Sequence, residues 1–337
     1  MNNFYKIENC CCMEGLKKMK DNGKKIHLTI TSPPYYNIKN YVNYTNYEEY
    51  LEILKKIFTL VYDITEDGRM CCVNISNILI QRQNRNSESI RIPLAFHFVL
   101  IMEKIGWKFI EDIIWVKPEG AAKNRNGGFF QHRQPIAYKP NIINEYIFVF
   151  QKPSIYLIDN IIQKYDAIIS FNSKVNDEYE KTNVWKLNPE TKSKHPAPYP
   201  ELLVEKLITY YSFIGDIVLD PFIGSGTTAI SCYKLNRNCV GFEIHKEYIN
   251  IFEERFQMIK NENIHVNQLN VVLINKEEYI DLNEMQIKDK LQKLPKKYLL
   301  DFLYKLTLNH TSFKKCTKTK LSLVNEIYNL HFTNTTT

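Results

Sequence analysis

Residues 218–228 read Val-Leu-Asp-Pro-Phe-Ile-Gly-Ser-Gly-Thr-Thr and give the clearest indication of the fold. A short apolar run leads into an acid, then into a Gly-x-Gly turn, and then into a segment that two threonines open. Doubly wound sheets bind cofactors in the crevice formed by such a strand, turn and helix. Glycines at this turn let the backbone approach a ligand closely, although a lone Gly-x-Gly also occurs as an ordinary tight turn.

The alternation of apolar runs and helical patterns extends outward from this stretch. Apolar runs typical of buried parallel strands lie at residues 26–31, 70–75, 108–116, 146–150, 217–219 and 239–242. Apolar residues at helical spacing predict helices at residues 47–62, 93–105, 202–211 and 227–235. Alternating strands and helices indicate an α/β fold with a doubly wound, mostly parallel sheet.

The acids around the glycine turn narrow the class of cofactor. Asp220 precedes the turn, and Glu243 ends the next predicted strand about 20 residues later, where an acid is suited to bonding ribose hydroxyls. The turn lacks the third glycine of the dinucleotide fingerprint and the lysine of a P-loop. Because Asp220 stands where a pyrophosphate would bring negative charge, a cationic or neutral nucleoside ligand fits better than NAD or ATP.

A second motif follows the first predicted strand. Residues 30–35 read Ile-Thr-Ser-Pro-Pro-Tyr, and the two successive prolines remove two donors and hold the chain extended. The carbonyl groups of Ser32 and Pro33 are then free to point into a crevice, beside the Ser32 hydroxyl, while Tyr35 provides an aromatic face. A rigid turn is the ordinary explanation of Pro-Pro alone, but the pairing with the glycine motif favours a functional loop.

Composition bounds the class of protein. The chain has 337 residues and a net charge of +7, with 44% hydrophobic and 24% charged residues. These values are typical of a globular protein and exclude collagen-like, disordered and small disulfide-stapled classes. All 11 glycines lie between Gly15 and Gly241, which predicts a loop-rich α/β body followed by a mainly helical remainder. The mild basic excess fits a polyanionic partner.

The eight cysteines predict neither a disulfide framework nor a metal site. Several are adjacent, as at residues 10–12 and 71–72, and no C-x-x-C pair has matching downstream ligands, so we expect no zinc. The first ten residues lack the apolar run of a signal peptide, and no stretch approaches the roughly 18 apolar residues of a membrane span. We therefore expect a reduced, cytoplasmic setting without a membrane.

Residues 117–185 break the alternation, although the apolar run at 146–150 lies inside them. This region is polar, aromatic and basic, and a long insertion in a compact domain is usually functional or disordered. Basic groups mixed with aromatic residues suit phosphate contacts and base stacking, whereas the alternative is a solvated surface loop. Trp115, just before this region, is a candidate for the pocket or equally for the core. The candidate DNA-binding residues are Lys117, Lys123, Arg125, His132, Arg133 and Lys139.

Together, the two motifs resemble those of the S-adenosylmethionine-dependent DNA amino-methyltransferases. Residues 30–35 are similar to the signature of the cytosine-N4 members, and Asp-Pro-Phe-Ile-Gly-Ser-Gly at residues 220–226 is similar to the family's cofactor motif. The catalytic motif comes first, which matches the β group, whose target recognition domain lies between the two motifs. His-Pro-Ala-Pro-Tyr-Pro at residues 195–200 looks like the additional cofactor-side motif. Cys11 stands where relatives often carry an acid beside the cofactor adenine.

The resemblance implies a Rossmann-like methyltransferase fold and a particular domain organisation. Residues 1–116 and 186–260 would form the catalytic and cofactor-binding domain, residues 117–185 an inserted target recognition region, and residues 261–337 a helical C-terminal extension. The catalytic residues implied are Ser32, Pro33, Pro34 and Tyr35. The contacts implied for S-adenosylmethionine, the expected methyl donor, come from Asp220, Phe222, Gly224, Gly226, Thr227, Glu243, Tyr199 and Pro200.

The activity implied is methylation of the exocyclic N4 amine of a flipped-out cytosine in duplex DNA, within the restriction–modification system of a prokaryote or phage. Ser32 stands where adenine-N6 relatives usually have Asp or Asn, which favours cytosine, but adenine-N6 methylation on the same fold stays open. Methylation of RNA or of a protein amide, and a catalytically silent DNA-binding module, are further alternatives. A cognate restriction endonuclease would be a partner without a stable complex, and the chain would be a monomer or a dimer.

Overall fold

The structure is a computed structural model that divides into two compact units, Met1–Phe256 and Gln257–Thr337. Every strand that the structure describes lies in the first unit. The described residues are 4–36, 44–80, 84, 86–119, 135–136, 140, 142–165, 167–175, 179–190, 199–274, 288, 322, 325 and 329.

Strands and helices alternate along most of the described chain. The strands are β1 (Tyr5–Asn9), β2 (Ile26–Thr31), β3 (Thr65–Ile75), β4 (Ile78–Ile80), β5 (Ile90–Ile92), β6 (Lys108–Val116), β7 (Asn144–Gln151), β8 (Val184–Lys186), β9 (Ile217–Asp220) and β10 (Asn238–Glu243). The helices are α1 (Cys12–Asp21), α2 (Tyr47–Ile64), α3 (Leu94–Ile105), α4 (Ile158–Ile162), α5 (Ala167–Asn172), α6 (Glu201–Tyr211), α7 (Thr227–Lys234) and α8 (Lys246–Ile274).

The main sheet has eight strands in the order β1-β10-β9-β2-β3-β7-β6-β8. The first five strands in this order, namely β1, β10, β9, β2 and β3, are parallel to one another. From β2 the chain continues toward β3 on one side, whereas from β9 it continues toward β10 on the other. The boundary between β2 and β9 is therefore a topological switch point, and the carboxyl ends of these two strands flank the crevice where open α/β sheets bind ligands.

The far side of the sheet is partly antiparallel. β7 pairs antiparallel with both β3 and β6, and β8 adds a short parallel edge next to β6. The predicted run at 146–150 is thus a sheet strand, buried from Ile147 to Phe150 because both faces of the sheet are covered. The expectation that residues 117–185 are irregular is wrong for β7 and β8, and α4 and α5 also lie within that range.

The other predicted strands and helices are present, although β3 begins five residues earlier than predicted, at Thr65. The expectation of buried parallel strands is wrong for the first half of β6, which is exposed, and for the pairing of β6 with β7, which is antiparallel. The doubly wound, mostly parallel α/β fold is confirmed. β1, α1, the short strands β4 and β5 and the start of α8 were not predicted from the sequence. In β1, Lys6 and Glu8 interrupt the apolar pattern of an edge strand. β1 pairs with β10 and completes the sheet on that side. The predicted helical extension at 261–337 begins inside α8, and nearly all of its residues after Ile274 lie outside the described part of the chain.

α2 shows why the helices form where the pattern places them. Asn46 precedes the helix, and its side chain accepts a hydrogen bond from the Glu49 amide at 2.8 Å, an N-cap typically worth about 1 kcal/mol. Leu54, Phe58 and Val61 recur at helical spacing and are buried beneath the helix. Phe58 also meets Phe98 of α3, with 4.9 Å between ring centroids in an edge-to-face arrangement.

The described cysteines are all free thiols. Within the described part of the chain, no helix is long and apolar enough to span a membrane.

Candidate active site at the carboxyl edge of the sheet

A cavity of about 310 Å³ opens where the carboxyl ends of β2 and β9 meet. The loop after β2 and the glycine loop after β9 both line it, although almost 200 positions separate them along the chain. The predicted site residues on its wall are Ser32, Pro33, Pro34, Tyr35, Tyr199, Phe222, Gly224, Thr227 and Glu243. Three further predicted cofactor residues, Asp220, Gly226 and Pro200, lie beside the cavity without lining it.

The glycine loop reaches the cavity through backbone conformations that favour glycine. Gly224 has φ +53° and Gly226 has φ +79°, and Gly226 directly precedes α7. A Cβ atom on Gly226 would lie 2.1 Å from Cδ2 of Phe252. Gly226 therefore serves the turn and the close packing of α8, whereas Gly224 presents its backbone to the cavity.

Glu243 ends β10 with its carboxylate on the cavity wall. One carboxylate oxygen accepts a hydrogen bond from the Gly224 amide at 3.0 Å, and the other accepts from the His245 amide at 2.8 Å. Burial raises the pKa of the carboxyl group, and these amide donors oppose that rise. Each oxygen keeps a further lone pair, so Glu243 is held in place and can still accept from ligand hydroxyl groups.

Asp220 is fully buried behind the cavity wall. One carboxylate oxygen accepts from the Thr31 hydroxyl at 2.6 Å and from the Phe222 amide at 3.1 Å. The other accepts from Tyr199 at 2.8 Å and from Thr228 at 2.6 Å. Burial raises the pKa of Asp220, and the hydrogen bonds oppose the rise. The protein itself thus occupies the carboxylate that the motif offered as a cofactor contact.

The loop after β2 is held from two sides. Thr31, its anchor on the strand, binds Asp220, and at the far end the Tyr50 hydroxyl donates to the Pro34 carbonyl at 3.1 Å. Tyr35 packs its ring against the hydrophobic core, and its buried hydroxyl makes no hydrogen bond of regular geometry with any residue that the structure describes. Burial, followed by the nearby Glu145, holds the pKa of Tyr35 well above its usual range.

Lys117 and Trp115, which the sequence offered as ligand contacts, both interact with other protein groups. The Lys117 ammonium pairs with Glu145, whose other carboxylate oxygen accepts from the Asn74 amide at 2.7 Å. Lys117 also lies 4.5 Å from the ring centroid of Trp115. Trp115 is buried and donates from Nε1 to the Leu187 carbonyl at 2.9 Å, so of the two interpretations of Trp115 the core one is confirmed.

Five predicted DNA-binding residues lie outside the described residues, namely Lys123, Arg125, His132, Arg133 and Lys139. The same holds for residues 195–198 of the additional cofactor-side motif, whose Tyr199 and Pro200 are described.

Much of the remaining cavity wall consists of residues that the motifs did not reveal. The start of α1 brings in thiol and thioether groups, and burial raises the pKa of the Cys12 thiol to about 12. α2 and the residues before it add aromatic and aliphatic groups. A cavity that combines apolar groups with Glu243 and the glycine loop suits a nucleoside, which has a flat base and a hydroxylated sugar. These additional lining residues are Cys10, Cys11, Cys12, Met13, Tyr44, Ile53 and Ile57.

A family comparison extends over most of the folded unit. The model of the N6/N4 methyltransferase family, described as "DNA methylase", matches residues 26–254. The match includes both motif loops and the segment between them.

Three individual proteins show how far the similarity extends. The Type II beta methyltransferase M.BslI of Bacillus sp. (strain NEB-606) is 30% identical over 72% of this chain, which spans only 26% of M.BslI. The orphan methyltransferase M.BamHII of Bacillus amyloliquefaciens is 28% identical over 69% of this chain and 89% of its own length. The crystal structure of TTHA0409 from Thermus thermophilus, complexed with S-adenosyl-L-methionine, superposes with a TM-score of 0.60 at 25% identity, covering 75% of this chain and 93% of the other.

Proposed function

The chain belongs to the N6/N4 family of DNA methylases, and from this premise we propose that it methylates the exocyclic N4 amine of cytosine at a specific site in duplex DNA. S-adenosylmethionine is the methyl donor. The observation that carries the proposal is that the Ser-Pro-Pro-Tyr loop and the glycine loop line one cavity of about 310 Å³.

The residues on the cavity wall fit this cofactor. Glu243 is held by two backbone amides with lone pairs to spare for ribose hydroxyls, and the apolar wall at the start of α1 and α2 suits the adenine ring. Phe222, Gly224 and Thr227 provide the wall of the glycine loop, and Tyr199 adds a ring whose hydroxyl is fixed on Asp220. When bound, S-adenosylmethionine supplies an electrophilic methyl group on a sulfonium centre.

The work of the protein's own groups is to hold the amine. The lone pair of an exocyclic amine is delocalised into the base, so the nitrogen is a poor nucleophile until acceptors hold its hydrogens. The Ser32 hydroxyl oxygen and the Pro33 carbonyl are the acceptors that we assign to this role. Such positioning contributes up to about 7–11 kcal/mol in well-aligned systems. Direct transfer to nitrogen requires no covalent bond to the enzyme, so none of the cysteines has a role as a nucleophile.

The amine lies inside the duplex stack, so the base is expected to flip into the cavity at a cost of a few kcal/mol. Tyr35 lines the cavity and offers an aromatic face to that base. Phosphate contacts are assigned to Lys123, Arg125, His132, Arg133 and Lys139, which precede β7 in the part of residues 117–185 that we propose for target recognition. Lys117 is the weakest of the predicted contacts, because Glu145 already neutralises its charge.

Two features support the finer assignment. Ser32 at the head of the Pro-Pro-Tyr loop favours cytosine-N4 over adenine-N6 chemistry, by the resemblance described above. Relatives such as M.BslI carry Type II names, which supports a restriction–modification role in which a separate endonuclease reads the same site.

The deciding experiment identifies the methylated nucleoside. The full chain is incubated with S-adenosylmethionine and duplex DNA, the DNA is hydrolysed, and the nucleosides are analysed by mass spectrometry. N4-methylcytosine is the expected product, whereas N6-methyladenine would assign the chain to the other branch of the family. DNA binding without any transfer would instead support a silent binding module.

Two variants separate the catalytic loop from the cofactor loop. Ser32→Ala removes one acceptor and should slow transfer by about 100-fold, a typical effect of losing a positioned proton-handling group, while calorimetry shows S-adenosylmethionine affinity nearly unchanged. Gly224→Val places a branched side chain where the backbone faces the cavity, at φ +53°, and should abolish cofactor binding. Unchanged turnover in Ser32→Ala would remove Ser32 from the catalytic role.

A further inference from the structure

Asp220 connects three segments of the chain that meet at the cavity. Its carboxylate receives hydroxyl groups from Thr31 at the end of β2, from Tyr199 before α6 and from Thr228 in the first turn of α7. The Phe222 amide of its own loop is the fourth donor. An ionised carboxylate has about four lone-pair sites, so these donors use its capacity in full.

The arrangement fixes the two site loops relative to each other. Thr31 directly precedes Ser32, the residue that we assign to the base amine, and the 2.6 Å bond to Asp220 reaches across from β2 to β9. On the other side, Tyr199 and Thr228 are 2.7 Å apart, share the second carboxylate oxygen and flank the glycine loop. A shift of one loop against the other would therefore break a hydrogen bond to a buried charge.

We propose that Asp220 and Thr31 are positioning residues that set the distance between the methyl donor and the base amine. This inference rests on the proposed function, since it assigns the donor to the glycine loop and the base to the Ser32 loop. Asp220 acts through its neighbours and touches neither reactant, because it lies behind the wall of the cavity. A displacement of about 1 Å between reacting groups can slow a reaction about 100-fold. Loss of the hydrogen bond therefore needs to move the loop only slightly to slow methyl transfer.

The chain offers a matched control on the same strand. Thr29 is two residues before Thr31 on β2 and is likewise buried, but among the described residues the only partner of its hydroxyl is the Cys71 thiol. Thr29→Val and Thr31→Val make the same chemical change in the same strand, and only Thr31→Val removes a donor from Asp220.

The test compares three measurements on wild type, Thr29→Val and Thr31→Val. They are the single-turnover rate of methyl transfer to duplex DNA, the dissociation constant of S-adenosylmethionine by calorimetry, and the midpoint of thermal unfolding. Thr31→Val should slow transfer at least tenfold while changing the dissociation constant less than about twofold, and Thr29→Val should retain the wild-type rate. Thr31→Ser, which keeps the hydroxyl, should restore most of the rate.

Other outcomes overturn the inference in recognisable ways. Equal rates in both valine variants would reduce Thr31 to a structural role, and a rise in the dissociation constant that accounts for the slower rate would make Asp220 part of the cofactor site. If Thr31→Val does not fold, Thr228→Val removes a donor from the opposite side, and a wild-type rate in that variant would contradict the proposal. A wild type that transfers no methyl group refutes the proposed function itself, and the inference falls with it.

Discussion

Two buried aspartates lie at opposite ends of β9, and their carboxylates have different kinds of hydrogen-bond partners. Asp216, just before the strand, pairs with Arg69 and also accepts from the Tyr165 hydroxyl at 2.6 Å and the Phe213 amide at 2.8 Å. Asp220, at the carboxyl end, is held by hydroxyl groups and one amide, and none of its four hydrogen bonds comes from a cation.

The two carboxylates contribute differently, one to stability at the amino end of β9 and the other to the candidate site at its carboxyl end. At the amino end, a buried cation and anion tie β3, β9 and the segment around Tyr165 together, with the Tyr165 ring stacked 4.0 Å from Phe213. Breaking such a pair leaves an uncompensated buried charge. At the carboxyl end, neutral donors leave the negative charge of Asp220 in place beside a cavity proposed to receive a sulfonium cation, and they connect the two loops that line it.

The largest expected effect comes from Asp216→Asn, which leaves the Arg69 guanidinium buried without its anion. We expect the free energy of unfolding to fall by about 3–5 kcal/mol, measured by urea denaturation. Because Asp216 lies at the amino end, calorimetry on the folded fraction should show unchanged affinity for S-adenosylmethionine. A large loss of that affinity would mean that the two ends are not separable.

Asp220→Asn is expected to cost less stability than Asp216→Asn but to slow methyl transfer. Asparagine keeps the shape of the carboxylate, but its NH2 group cannot accept a hydrogen bond, so two of the four donors lose their acceptor. The free energy of unfolding should therefore fall by about 1–3 kcal/mol. Methyl transfer should fall more than tenfold under conditions in which the variant is fully folded. If this variant lost as much stability as Asp216→Asn and kept the wild-type transfer rate, the separate roles of the two aspartates would be contradicted.

Tyr50→Phe tests the second hold on the catalytic loop with a smaller change. It removes the donor to the Pro34 carbonyl, and we expect a loss of about 0.5–1.5 kcal/mol in the free energy of unfolding together with a several-fold slower transfer. Tyr47→Phe is the matched control, since the Tyr47 hydroxyl contacts His97 instead. Identical rates in the two variants would show that the Pro34 contact has no bearing on the reaction.

The smallest expected effect is a pH dependence at the amino end. Nδ1 of His27 accepts a hydrogen bond from the Ile217 amide at 2.9 Å, which requires the neutral ring, and burial lowers the pKa of His27 below its usual 6.5. A lowered pKa means that the contribution to stability is complete above about pH 6.5 and is lost as the pH falls through the folded-state pKa. Chemical denaturation between pH 7 and pH 5 should show this loss.

The control for this prediction is His27→Asn, whose Oδ1 takes the position of Nδ1 and can still accept from the Ile217 amide but does not titrate. The decline in stability across that pH range should be smaller in the variant than in wild type. Equal declines would assign the pH dependence to other groups.

The sequence predicted the central strands well because parallel strands buried on both faces give continuous apolar runs, as at residues 26–31 and 217–219. It predicted the edges poorly. β1 alternates charged and apolar residues, and its partner β10 lies more than 200 positions away along the chain. The thiols at the start of α1 were therefore not recognised as a wall of the site, except that the resemblance singled out Cys11.

The candidate site shows the same division in its individual residues. Glu243 is on the cavity wall as the spacing predicted, whereas Asp220, which the same motif offered as a ligand, is turned inward and satisfied by protein groups. Lys117 was proposed for DNA phosphates from its charge and neighbours, but Glu145 from the adjacent strand neutralises it. A single sequence contains no signal for the hydroxyl donors of Asp220 or for the pairing of Lys117 with Glu145.

By itself, the sequence determined the alternation of strands and helices, the two loops that follow β2 and β9, and the class of chemistry that their residues suit. These features depend on local patterns, because apolar periodicity and the backbone preferences of Gly and Pro act over a few neighbouring residues. That Asp220 turns away from the cavity and connects its two loops depends on residues far apart in the chain, and only the folded structure shows it. The bond between Thr31 and Asp220 joins residues 189 positions apart, and only the packing of β2 against β9 brings them within 2.6 Å.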